Sequence, residues 1–247
     1  MSIVPGVIAS NIKKSSLLTG LLGNWNLNET TGTAMADSLG VNNLTLGGAG
    51  TVNNSGILGK AVYLNNNTTY TGYLKLPTNF SLNKFTGNSI SVSMWILPAA
   101  APTQLIDLWS LHNSGGGDRL YAQYDTTSKK IWFYCMPTTP AWNEYSTTDA
   151  ITLSTTVWTH LGFSCGGIGT QLLIYVNGVQ SATSIFTLGT AFAAVTGAND
   201  TFGNEFGSGA ANALYGYIDD ISIYNRALSA AEFGMLYNNG FGEQYPF

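Results

Sequence analysis

Thirteen carboxylates, two histidines and two cysteines are the side chains of this 247-residue chain whose types could do chemistry. Hydrolysis of a glycoside needs two carboxyl groups facing one bond, about 5–5.5 Å apart in a retaining mechanism, and a strand presents such a pair only at spacing i, i+2. No two Asp or Glu stand at that spacing, and the sole adjacent pair is Asp219-Asp220. Sequence-distant carboxylates can still meet in space, so this counts against a strand-borne pair rather than against all hydrolysis. His160, in the β-like run "WTHLGF", is expected to be a strand residue with structural hydrogen bonds. His112, beside the glycine-rich turn in "LHNSGGGDRL", is a candidate ligand contact. There is no Gly-x-Ser-x-Gly elbow, and "SGGGDR" lacks the Gly-Lys-Ser/Thr ending of a phosphate loop. The expectation is a non-catalytic protein.

The acidic pair lies in "YGYIDDISIYNRALS", which reads as a strand from its Tyr and Ile content. Strict alternation would put Tyr217, Asp219, Ile221 and Ile223 on one face and Ile218, Asp220, Ser222 and Tyr224 on the other. Either face then receives one carboxylate. A buried carboxylate left alone costs several kcal/mol, so it requires a cation, hydrogen-bond donors or a proton. Backbone amides, Arg226, Lys60 and a calcium ion are all candidate partners for Asp219. Cys135 and Cys165 lie in apolar contexts and fit no zinc spacing; buried thiols are the plainer reading, and a bridge requires adjacent strands.

The elements that must position these groups are short β-like runs separated by Gly, Asn and Pro. Strands are expected near 21–27, 58–65, 71–76, 89–97, 104–111, 119–125, 130–136, 157–165, 171–176, 183–187, 200–204 and 213–224. In "SISVSMWIL", Ile90, Val92, Met94 and Ile96 share one face, and Ser91, Ser93 and Trp95 the other. Asn177-Gly178 between two β runs signals a tight hairpin. One helix is expected in "SAAEFGMLYNNG", with Ser229 and Glu232 as a capping box and Gly240 as its stop. A dozen strands and one short C-terminal helix argue for an all-β, two-sheet antiparallel sandwich of jelly-roll type. Residues 1–19 read as an N-terminal arm and 20–247 as one domain, a size that all-β units reach undivided.

Composition narrows the partners. Charged residues are 9% of the chain against about 25% in ordinary soluble domains, so solubility rests on amides and hydroxyls. That balance suits virion and secreted β-proteins. The net charge of −4 and scattered Lys and Arg exclude a nucleic-acid footprint. No apolar run approaches the ~20 residues of a membrane span, and the N-terminus is no recognisable signal peptide.

Three segments resemble a known family. "YGYIDDISIYNRALSAAEFGMLYNNG", "VWTHLGFSCGGIGTQLLIYVNGVQ" and "LLGNWNLNETTGTAMADSLGVNNLTLGG" are similar, in order, to the C-terminal signature, central hairpin and opening strand of laminin-G-like domains in the concanavalin A-like lectin/glucanase superfamily. Residues 98–156 have no counterpart in the resemblance. It implies a sandwich whose first and last strands lie side by side. It also implies one structural calcium ion near that junction, held by Asp37, the carbonyl of Gly40, and Asp219. The laminarinase-type strand Glu-x-Asp-x-x-Glu of the catalytic relatives is missing here.

A glycan would be recognised by CH faces stacked on aromatic rings, with amides and carboxylates fixing its hydroxyls. "TTPAWNEYSTT" offers Trp142, Asn143, Glu144 and Tyr145 for this purpose, with His112 as a further contact. Trp109, Trp132, Tyr121 and Tyr134 lie in the same stretch, whereas Trp25, Trp95 and Trp158 fall in β runs and are expected to pack. The expected function is an adhesive or decorating module on a phage virion or cell surface, binding a glycan or other surface ligand, with residues 1–19 docking on other virion proteins. A secreted carbohydrate-binding module is the alternative, a glycosidase or lyase of the same fold comes third, and a homo-oligomer is compatible with each.

Overall fold

Alternation decides which side of each strand meets the core, and two packed sheets result. The computed structural model describes residues 15–66, 71–78, 80, 89–112, 119–136, 143–167, 169–187, 200–204 and 212–247, with backbone alone described at 112, 119, 135–136, 143–145 and 182–187. In chain order the strands are β1 (Leu21–Trp25), β2 (Ala34–Met35), β3 (Leu44–Gly47), β4 (Gly50–Ser55), β5 (Lys60–Leu64), β6 (Tyr73–Lys75), β7 (Ile90–Pro98) and β8 (Ile106–His112). They continue as β9 (Arg119–Asp125), β10 (Lys130–Met136), β11 (Asn143–Ser146), β12 (Thr159–Cys165), β13 (Gln171–Val176), β14 (Val179–Thr187), β15 (Thr201–Phe202) and β16 (Gly216–Tyr224). Sheet A runs β14-β13-β12-β7-β16-β5-β4 with β1 also on β16, and sheet B runs β11-β10-β9-β8-β15-β6-β3-β2. All strand pairings between these named strands are antiparallel. The jelly-roll sandwich expected from the sequence is the fold.

The core lies between the sheets. Ile90, Val92, Met94 and Ile96 of β7 join Leu161 and Phe163 of β12, and from sheet B Leu108, Ala122, Ile131 and Phe133. Trp109 meets Phe133 and Phe163 edge-on at 5.5 Å each, so this tryptophan is a packing residue. Such buried aromatic contacts add to the area they remove from water, about 25 cal/mol per Å². Asn177 and Gly178 both take positive φ, 51° and 73°, in a two-residue turn between Val176 and Val179, the backbone twist a tight hairpin demands.

The helix, α1 (Ala230–Tyr237), begins with the expected capping box: Ser229 accepts from the Glu232 amide and Glu232 from the Ser229 amide. It ends earlier than expected, at Asn238 in the left-handed region (φ 47°), because an Asn tolerates that conformation nearly as well as a glycine. Leu17, Tyr175, Tyr224, Leu228, Phe233 and Leu236 form a second cluster under α1 on the outer face of sheet A. Burial pushes the Glu232 carboxyl up, but the Arg226 guanidinium 2.6 Å away and the Ser229 donors outweigh it and hold the group at about 2. Arg226 also donates to the carbonyls of Ser16 and Thr19, so the end of the expected arm is docked on the domain; residues 1–14 lie outside the described residues.

Short strands β2, β3, β4 and β11 escape a reading of periodicity, because β2 is two residues long, β3 and β11 are four each, and Gly and Asn crowd β4. Cys165 is a free, buried thiol on β12 of sheet A, while Cys135 lies on β10 of sheet B.

Candidate functional site

The opening and closing strands lie side by side, with Asn24 opposite Ser222 and Trp25 opposite Ile221. One edge of β16 is shared: β5 pairs residues 216–218 and β1 pairs 221–224. Asp219 and Asp220 fall at the seam, where the ladder shifts register and Asp220 takes φ 47°. This bulge restarts the alternation, so Ile218, Ile221 and Ile223 all reach the core. The face assignment expected from strict alternation is corrected accordingly: Ile218 and Ile221 share a side, and Asp219 stands opposite Trp95 of β7.

Asp37 and Asp219 already have donors at this junction. Asp37 Oδ1 accepts from the amides of Asn24 and Leu39 (both 3.1 Å), and Oδ2 from Asn42 (2.9 Å) and Val41 (3.4 Å). Asp219 Oδ2 accepts from Ile57 (2.9 Å) and Leu58 (3.4 Å), and Oδ1 from Asp220 (2.8 Å). A Cβ on Gly56 would collide with that Oδ2 and with the Lys60 carbonyl, so only glycine lets the loop close over Asp219. A carboxylate offers about four lone-pair sites. Asp37 has none left for an ion. The Gly40 amide closes the same turn onto the Asp37 carbonyl (2.7 Å). Among the described residues no three His, Cys, Asp or Glu converge to hold a metal. Calcium therefore does not fit at Asp37, where amides take the lone pairs it would need, while Asp219 with three bonds keeps about one site. A chelator is expected to leave the melting temperature unchanged, whereas a metal present at a hundredfold its dissociation constant would contribute about 2.7 kcal/mol. A drop of several degrees on adding EDTA, reversed by calcium, would overturn that expectation.

The Ser-His contact seen among the described residues is internal. His160 Nε2 lies 2.8 Å from Ser93 Oγ, and the imidazole packs on Trp95 (5.0 Å) and Tyr237 (6.1 Å). His160 is fully buried, and burial pushes its pKa down to about 3. A base that weak and without solvent contact serves the sheet rather than a reaction.

The expected ligand residues fall as follows. Trp142 lies outside the described residues. Asn143, Glu144 and Tyr145 belong to β11, the edge strand of sheet B, and not to a loop. In backbone register Glu144 stands opposite Tyr134. His112 ends β8 opposite Arg119.

Beside that edge the sheet presents rings to solvent. On β9 and β10, Ala122, Tyr124, Ile131 and Phe133 point inward to the core, so Tyr121, Trp132 and Tyr134 stand on the outer face. Tyr121 and Tyr134 are cross-strand partners stacked 4.3 Å apart and 6° from parallel, and Trp132 continues the column at 5.9 Å and 21°. All three are half-buried, as rings half in solvent must be. Next to Trp132 across the ladder, Gln123 donates from Nε2 to Asp107 Oδ1 of β8. The arrangement is a stack of half-buried rings on a sheet face with the half-buried Gln123 beside it and Asp107 buried beneath, a surface for the CH face of a sugar. Sequence reading had these residues as part of an aromatic-rich stretch and weighted the neighbouring 142–145 segment; the alternation of β9 and β10 was the signal that singles them out.

A family model described as Concanavalin A-like lectin/glucanases superfamily, laminin G type, matches residues 67–233, more than half of the 247. The chain belongs to this family. The laminin-G-type domain also superposes on solved structures. Domain 4 of AbnA, a GH43 extracellular arabinanase from Geobacillus stearothermophilus, in complex with arabinotriose, matches with TM-score 0.64 and 20% identity over 87% of this chain and 96% of that one. The binding domain of Paraclostridial Mosquitocidal Protein 1 matches with TM-score 0.65 and 16% identity over 92% of this chain and 52% of that one. Trypanosoma rangeli sialidase in complex with the inhibitor DANA matches with TM-score 0.64 and 15% identity, 90% of this chain covering 33% of the enzyme. The laminin-G-type domain thus spans about half of the toxin domain and a third of the sialidase, and at these identities the likeness is one of fold. No curated protein matches the sequence.

Proposed function

We propose that this laminin-G-type domain is a non-catalytic carbohydrate-binding module whose sugar platform is the Tyr121–Tyr134–Trp132 column on the outer face of sheet B. The observation that carries the reading is the column itself: three near-parallel rings left half in solvent on a sheet face, where alternation would ordinarily place polar side chains. The half-buried Gln123 at its flank supplies a carboxamide for hydroxyls. A relative of the same fold, the arabinanase domain, was solved with arabinotriose, which makes neutral oligosaccharides the first probes to use. The setting we infer is a virion or cell surface, since 9% charge is a composition for exposed, amide-rich proteins.

Affinity electrophoresis through arabinan, xylan and β-glucan tests this. Retardation by at least one polysaccharide is expected, and Trp132→Ala should weaken it about tenfold, the worth of one good aromatic contact. Unchanged retention of Trp132→Ala, checked as folded by circular dichroism, would remove the column from the site. Release of reducing ends from the retained polysaccharide would replace binding with hydrolysis. Absence of the chain from gradient-purified phage particles would favour the secreted setting over the virion.

A further inference from the structure

A second aromatic row crosses the opposite side of the molecule. Thr51 of β4 pairs with Tyr63 of β5, Tyr63 with Tyr217 of β16, and Tyr217 with Leu97 of β7. Trp158 extends the row, immediately preceding Thr159, the partner of Ile96. The strand neighbours Val62, Leu64, Ile96 and Ile218 are core residues, so this rung lies on the outer face of sheet A. The cluster beneath α1 covers another part of that face, and Tyr63, Leu97, Trp158 and Tyr217 stay half-exposed.

The row is built from amphipathic rings. Tyr63 and Tyr217 lie 4.8 Å apart, Trp158 meets Tyr217 edge-on at 6.3 Å, and Tyr63 reaches Tyr215 at 6.1 Å. Burial and the hydrogen bond with Tyr215 push the Tyr63 hydroxyl up to about 12, so it remains protonated at physiological pH. At its Tyr215 end the row opens into a cleft of about 260 Å³, walled by Asn66, Pro102, Thr103, Gln104 and Ala213. Asn66 is spent on the wall itself, bonding Gly72 and the Leu214 carbonyl, and Thr103 and Tyr215 line the cleft beside it. That volume falls just below the ~300 Å³ at which ligand sites begin. Uncharged rings, hydroxyls and a small adjoining cleft match an uncharged, hydroxyl-rich chain better than an apolar protein surface.

We propose that the Tyr63–Tyr217–Trp158 row, with the Tyr215 cleft at its end, is a second carbohydrate-binding surface, so that one domain holds neutral polysaccharide segments on two opposite faces. The inference rests on the carbohydrate-binding reading above. Two faces pointing away from each other bridge separate chains or separate stretches of one chain, and the second contact gains from the first through effective concentration.

The experiment compares wild type, Tyr217→Ala, Trp158→Ala, Trp132→Ala and Trp132→Ala/Tyr217→Ala in electrophoresis through arabinan, xylan and β-glucan, together with polysaccharide precipitation. Each single variant is expected to lose about tenfold in retention and to stop precipitating the polysaccharide, and the double variant about a hundredfold. Wild-type retention and precipitation in both Tyr217→Ala and Trp158→Ala would overturn the second surface and leave the first intact. Loss confined to Tyr217→Ala and Trp158→Ala would sink the sheet B platform and keep this one. No retention of the wild type by any probe would remove both. Rings that only brace the sheet would lower the melting temperature of Tyr217→Ala without altering retention, and Trp158→Ala keeps the test open should Tyr217→Ala fail to fold.

Discussion

Asp37→Ala is expected to lower the stability of the domain by about 3–5 kcal/mol, the range for removing one partner of a buried, charge-assisted network. Four amides, those of Asn24, Leu39, Val41 and Asn42, lose their acceptor at once. Asp37 is 4% exposed, so water does not replace it without opening the turn. The loss propagates, because Asn24 also bonds Ser222 of β16 and accepts from Ser38, tying the opening strand to the closing one. For a domain this size the effect corresponds to roughly 10 °C in melting temperature. Asp37→Asn, which keeps a single acceptor oxygen, should fall between Ala and wild type. A shift under about 1 kcal/mol for Asp37→Ala, a surface-like value, would refute the role given to these amides.

The second large effect is one of pH: the domain is expected to lose stability as pH rises from about 4 to about 8. Burial pushes the Asp219 carboxyl from 3.8 up to about 8, against the pull of its three amide donors. Burial likewise raises Asp220 well above the ordinary range, and the charges of Asp219 and Glu243 add to it. Among the described residues Asp220 Oδ1 has no hydrogen-bond partner, so Asp220 is the member of the pair that holds a proton longest. Below about 4 both folded and unfolded chains are protonated, and the contribution of the pair to stability is complete. Above it the unfolded chain releases protons that the folded chain keeps, and stability falls by about 1.4 kcal/mol per pH unit for each retained proton until the folded groups titrate. Glu232 works in the reverse sense: its pKa, held at about 2 against an ordinary 4.5, supports the fold above about 4.5 and withdraws that support as pH falls towards 2. The stability maximum is thus expected near pH 4–5. Asp220→Asn, neutral and well suited to the left-handed backbone there, should flatten the alkaline limb and raise stability at pH 8. Denaturant midpoints that rise or stay level from pH 4 to 8 in the wild type would refute the protonated pair.

Much of the architecture was legible in the chain. Period-two runs such as "SISVSMWIL", the Asn177-Gly178 turn and the Ser229–Glu232 box each encode a local geometry that needs no distant partner to be recognised. The same is true of the resemblance carried by "YGYIDDISIYNRALS", which placed the first and last strands together as they are. The short strands β2 and β3 and the Gly- and Asn-rich β4 were not legible, since their extended shape comes from a neighbour's ladder rather than from their own side chains.

The sites divide along the same line. Alternation puts Trp132 and Tyr134 on one side of β10, but that this side faces solvent, and that Tyr121 stacks on Tyr134, depends on which sheet lies opposite and on the register with β9. Asp219 could be read as a carboxylate in need of a partner, yet the amides of Ile57 and Leu58 that bond it belong to a loop some 160 residues earlier in the chain folding over it. Local order is written in residue types a few positions apart. Which groups satisfy a buried charge, and which rings are left facing water, follow from long-range packing that brings distant segments to one surface.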